Sequence, residues 1–186
     1  APDAAIRRPL NLGFKVSSLD ATIASVWYRG LYPACQLRRF GHHVAVFDRQ
    51  PKSARIARLD CLVLVKPATL ADLRCAGAAR AAGVPILVDL CDDLLVPGYG
   101  SALGREGAMC RAVLNLADLV VTTGPVLATK LRAMLPPDVE VAEIADPVEN
   151  EVDNAAVVAA FGLRLAVTRL RRWLARHRAL RTPSSP

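Results

Sequence analysis

Six short runs rich in valine, isoleucine and leucine recur along the 186 residues, and helical patterns separate most of them. This alternation constrains the fold more than any other feature. Strands that are apolar throughout must be covered on both faces, and intervening helices supply the cover. The runs are Asn11 to Ser17, His43 to Asp48, Asp60 to Val65, Pro85 to Leu90, Asp118 to Thr122 and Val139 to Ile144. A first helix is predicted from about Thr22 to Phe40, with Gly41 as its left-handed stop and Pro33 placed to kink or divide it. A basic loop follows the second run. Thr69 and Asp72 have capping-box spacing and open a helix that ends at Gly83. Further helices are predicted over Ser101 to Ala117 and over Pro125 to Leu135, the latter with proline in its first turn.

Right-handed crossovers leave few ways to arrange such a chain. The expectation is an α/β fold over residues 1–150, a doubly wound, mostly parallel Rossmann-like sheet of about six strands. Residues 151–181 are expected to add one long helix from Asp153 to Arg181, broken at most near Gly162, and 182–186 a disordered tail.

Composition narrows the function. Hydrophobic residues make up 53% of the chain, enough for a sizeable core, yet no apolar run approaches the ~20 residues needed to cross a bilayer. No basic start followed by an apolar stretch opens the chain, so no secretory leader is expected. The formal charge of +7 lies wholly in the last segment: residues 1–163 hold 17 basic and 17 acidic residues, while 164–186 hold seven arginines and no acid. A neutral body argues against a nucleic-acid-binding fold, whose charge should cover a face of the folded domain. The five cysteines form no CxxC pair, and no His or Cys cluster has metal-ligand spacing. A reduced, cytoplasmic compartment is expected, without a metal site or a bound cofactor.

In an open parallel sheet, ligands bind beyond the carboxyl ends of the strands. Four polar segments fall there: Ser17 to Asp20, Lys66-Pro67, Asp89 to Asp93, and Thr122-Thr123-Gly124. The first lacks GxGxxG and the chain lacks GxxxxGK[ST], so neither a conventional dinucleotide site nor an NTP loop is expected. Ser17, Ser18 and Thr22 either bind an anion or a sugar or simply cap the helix. Asp89, Asp92 and Asp93 form the densest acid cluster, able to orient sugar hydroxyls, hold a divalent ion or act as a base; the alternative is a cap with solvated neighbours. Trp27 and Tyr28 suit helix packing. Arg29 opposes the dipole of the half-helix it sits on, which suggests a donor fork aimed at phosphate or carboxylate.

With these residues in view, the chain resembles the amino-terminal domain of GT-B glycosyltransferases, especially family-4-like ones. The resemblance rests on Trp27-Tyr28-Arg29, Tyr32-Pro33, Leu37 and Gly41-His42-His43-Val44, then on Asp60 to Pro67, the strand Pro85 to Leu90 with Asp92-Asp93-Leu94, Ala117 to Thr123 with Leu127, Ala128 and Leu131, and the exit Ile144 to Val148. It covers roughly residues 10–150, and the order of the motifs carries it. Asp146 stands where the usual exit has asparagine, and no histidine falls at the place of a catalytic one.

The resemblance implies the acceptor side of a sugar-transfer cleft, with the donor domain absent from this chain and the isolated chain inactive. The implied substrates are a sugar or lipid-linked sugar acceptor and, once a donor-domain partner is supplied, a nucleotide sugar. The candidate substrate-binding residues are Ser18, Asp20, Tyr28, Arg29, Lys66, Asp89, Asp92, Asp93 and Thr123. The alternative is a non-catalytic Rossmann-like binding module. In the last segment Leu163, Val167, Leu170 and Leu174 form one apolar stripe with arginines around it. That stripe either packs on the domain or lies on an anionic membrane surface, which would place the protein at the inner face of a membrane.

Overall fold

A computed structural model describes residues 8–96, 104–146 and 159. Six parallel strands make one sheet in the order β2-β1-β3-β4-β5-β6. They are β1 (Asn11–Lys15), β2 (His43–Phe47), β3 (Cys61–Val65), β4 (Ile86–Leu90), β5 (Leu119–Thr122) and β6 (Glu140–Glu143). β1 lies between β2 and β3, with Phe14 opposite Val46 on one side and Val63 on the other. The predicted α/β sheet is therefore present, in its expected number of strands.

Because strand side chains alternate, successive residues enter different cores. Val63 and Val65 join Leu12, Phe14, Val16, Val44 and Val46 in one core, against Val26, Leu31, Tyr32, Ala34 and Cys35 of the first helical stretch. Leu62 and Leu64 join Ile86, Val88, Leu90 and Val120 in the other. The remaining helices cover this second face: α3 (Ser53–Ile56), α4 (Leu70–Ala81), α5 (Arg105–Leu114) and α6 (Pro125–Met134). Strand order reverses between β1 and β3, the kind of place where an open parallel sheet is expected to offer a ligand crevice.

The first helical stretch is continuous but changes pitch. A short α-turn, α1 (Ala24–Val26), leads into a π-helical segment, Trp27–Leu31, and then into α2 (Tyr32–Arg39). The Tyr32 amide donates to the Trp27 carbonyl, five residues back. Pro33, expected to kink or divide the helix, is accommodated by this widened turn just ahead of it. Proline has no N–H and its ring crowds the carbonyl four residues earlier, and a wider turn relieves both problems. The segment also lies hard against the sheet: a Cβ on Gly30 would sit 2.7 Å from Val16 Cγ1.

Stops and caps fall where expected. Gly41 and Gly83 have φ of +89° and +68°. Thr69 and Asp72 form a reciprocal capping box, Asp72 N–H donating to Thr69 Oγ1 and Thr69 N–H to Asp72 Oδ2. Asp72 has a second partner that the sequence pattern does not announce. The Lys15 ammonium, buried at the end of β1, lies 3.1 Å from Asp72 Oδ1 and donates to the Val16 carbonyl at 2.8 Å. The basic loop contains α3, which no periodicity signalled. Apart from Ala159, the expected C-terminal helix over 151–181, with its packing or membrane role, and the tail 182–186 lie outside the described residues. Among the described residues, no helix is long and apolar enough to cross a membrane.

Candidate ligand site at the carboxyl ends of the strands

β3 ends in an unusual backbone. Lys66 has φ of +49°, a conformation that residues with a Cβ adopt rarely and at a cost. Its amide is held by the Asp89 carbonyl of β4 at 2.8 Å, and its ammonium reaches Asp92. Lys66 and Asp92 form one wall of an open pocket of about 300 Å³, with Cys91, Asp146, Tyr28 and the start of the first helix completing it. A smaller hollow of about 290 Å³ lies beside it, around Asp93, Thr123, the start of α6 and Lys130. Cys91 borders both.

Under the first pocket is an ionic strut. Arg29 is 4% exposed, and its Nε donates to both oxygens of Asp89, at 2.8 and 3.1 Å. Its Nη1 donates to the Ile144 carbonyl at 3.1 Å and lies 3.4 Å from Asp146 Oδ1. One guanidinium thus ties the π-helical segment to β4 and to the chain leaving β6. Burial pushes the Asp89 carboxyl above its ordinary range, with the Arg29 bond pulling the other way. Burial opposes the charge on Arg29 too, but Asp89, Asp146 and Cys91 together more than offset it.

The expected acid cluster therefore does not converge. Asp89 faces Arg29, Asp92 faces Lys66, and Asp93 faces Lys130 while accepting from the Leu95 amide at 3.1 Å. Three acids within five residues go to three different cations. The donor fork expected of Arg29 exists, but it is aimed at a carboxylate of this chain. Among the described residues, no three His, Cys, Asp or Glu side chains come together where they could hold a metal ion.

The other candidates separate as well. Tyr28, Arg29, Lys66 and Asp92 line the first pocket directly, and Asp93 and Thr123 the second. Asp20 accepts from both the amide and the hydroxyl of Thr22, at 3.1 and 2.6 Å, which is a helix-entry turn. Ser18 is 9% exposed, and its Oγ has no hydrogen-bond partner among the described residues. Cys91 and Asp146 are site residues that sequence reasoning did not select. Asp146 was visible as the altered position of the exit motif. Cys91 carried no signal beyond its place among the aspartates. Burial, reinforced by Asp92, pushes its thiol up to about 11, so it stands in the pocket as a neutral thiol at pH 7.

The sequence matches no protein-family model and no curated protein.

Proposed function

We propose that the chain supplies the acceptor wall of a sugar-transfer cleft, as the amino-terminal half of a GT-B-like glycosyltransferase. The observation that carries this reading is Lys66, whose costly backbone turns a cation into the pocket beyond β3, at the edge where an open parallel sheet binds its ligand. Around it stand a phenol, two carboxylates and a thiol. Sugar hydroxyls both donate and accept, so alternating acceptors (Asp92, Asp146) and donors (Lys66, Tyr28) suit them. Tyr28 also offers a flat apolar surface to a pyranose ring. The order of sequence motifs over residues 10–150 supports the same reading. In such a cleft the opposite wall would hold the nucleotide sugar and stabilise the departing diphosphate. That wall would come from a partner chain or from further polypeptide, and the acceptor would be a sugar or a lipid-linked sugar.

The test is saturation-transfer NMR on the intact chain with a panel of hexose glycosides. The expected result is transfer to at least one glycoside that Asp92→Asn removes without changing the melting temperature. Transfer that survives Asp92→Asn, or none from any glycoside, would count against the reading. One observation favours the non-catalytic alternative. Asp89, Asp92, Asp93 and Asp146 each already face a cation of this chain, an arrangement better suited to holding a ligand than to taking its proton. A binding module would give the same saturation transfer but no turnover when any donor-domain partner is added.

A further inference from the structure

The basic and acidic residues of 1–163 cancel in number but not in place. At the carboxyl ends of the strands, Arg29, Lys66 and Lys130 each sit on an aspartate. At the opposite end Arg8 meets Asp60 and Arg80 meets Asp118, but one basic hollow there has no acid in its lining. A concavity of about 610 Å³ lies between the end of α2, the outer edge of β2 and α3. Arg38, His42, His43, Arg55, Arg58 and Asn11 surround its apolar floor, and none of the described residues lining it is acidic.

Neutral groups hold three of these basic side chains in place. The Arg38 guanidinium donates to the Val44 carbonyl through Nε, at 3.0 Å, and through Nη2. Arg55 lies over the Phe47 ring, 4.7 Å from its centroid. His42 Nδ1 accepts from the Leu10 amide at 3.2 Å, which leaves the ring's proton on Nε2 and makes that nitrogen a donor. The Phe47 ring fixes the orientation of Arg55 without cancelling its charge. Arg55 and Arg58 form no ion pair among the described residues. Asp60, next in the chain after Leu59, is engaged by Arg8 and by the Asn11 amide.

We infer that this concavity binds a phosphate-bearing anion. Three guanidinium groups and two imidazoles around one hollow match a group with several acceptor oxygens and more than one negative charge, whereas a single carboxylate would leave most donors unused. The site is independent of the sugar-site reading, since it lies at the first residues of β1 and β2 and the other pocket lies beyond the last residues of β3 and β4. The phosphate could belong to a soluble oligophosphate or to a lipid headgroup.

Calorimetry of the full chain with tripolyphosphate at low salt, and sedimentation with phosphatidic acid vesicles, distinguish these sources. In at least one arm, Arg55→Ala with Arg58→Ala should weaken binding by about tenfold or more, as loss of charged hydrogen bonds predicts. Asp92→Asn should leave it unchanged. Both arginines are exposed, so the fold should survive, and His43→Ala gives a second, milder variant. Tripolyphosphate should also move the His42 and His43 imidazole resonances. Binding that persists in the double arginine variant would place the anion on the seven C-terminal arginines and overturn the inference. So would the absence of binding in both arms.

Discussion

Arg29 and Asp89 show how burial divides the roles of two paired charges. Asp89 pairs through one N–H of Arg29, whereas Arg29 also holds the Ile144 carbonyl and Asp146. Since burial already disfavours the ionised carboxyl, Asp89→Asn should cost only about 1 kcal/mol, the scale of one altered hydrogen bond. Arg29→Met should cost about 3–5 kcal/mol at pH 7, because it leaves a carboxylate buried without its cation. The lone carboxyl would then titrate well above 3.8. The variant's deficit relative to wild type should therefore be small at pH 4 and grow as pH rises through that higher value. Adding Asp89→Asn to Arg29→Met should recover most of the loss. Urea midpoints at pH 4 and pH 7 read all three outcomes, and a cost of Asp89→Asn equal to that of Arg29→Met would contradict this account. Lys66 tests strain in the same way. Lys66→Gly should leave stability unchanged or raise it by up to about 1 kcal/mol, since glycine accepts the positive φ and the lost ion pair is partly solvated, while sugar binding falls.

Among the elements, the π-helical segment depends on Gly30. An alanine there would put its Cβ 2.7 Å from Val16 Cγ1, and a buried β-branched valine just past β1 has little freedom to yield. Gly30→Ala should destabilise by about 1–3 kcal/mol in thermal or urea unfolding. An unchanged midpoint would mean that the helix shifts without cost. All six strands, α4 and α6 were legible because apolar runs, caps and a first-turn proline are local signals. The capping box at Thr69 needed no tertiary partner to be read. Local pattern could not reveal α3, whose four residues span about one turn, too short to display a period. Nor could it show that Pro33 would be met by a wider turn and not a break. The site was legible only as a set of segments. Strand ends located Lys66, Asp92, Asp93 and Thr123, and Tyr28 entered only through the family resemblance; spacing cannot say which cation each aspartate meets. Arg29 and Asp89 are 60 residues apart and became partners only through the sheet.

At the scale of the molecule, the acceptor-wall proposal makes the site one wall of a cleft. Purified 1–186 should release no nucleoside diphosphate from any nucleotide sugar, because a single open face neither positions two substrates nor excludes water. Turnover by the chain alone would overturn the acceptor-wall proposal. Strand order has a further consequence, in time. β1 is translated before the other five strands of this sheet, yet it ends up inside the sheet with later neighbours on both sides. On the ribosome, Leu12 and Phe14 must wait for residues 43–47 and then 61–65 before both edges of β1 are occupied. No hairpin can shorten the wait, since every pairing in the sheet is parallel and needs a crossover. A newly made chain therefore passes through an interval in which a sticky, unpaired strand has already emerged. Its refolding should be slow beside that of a helical bundle of equal length.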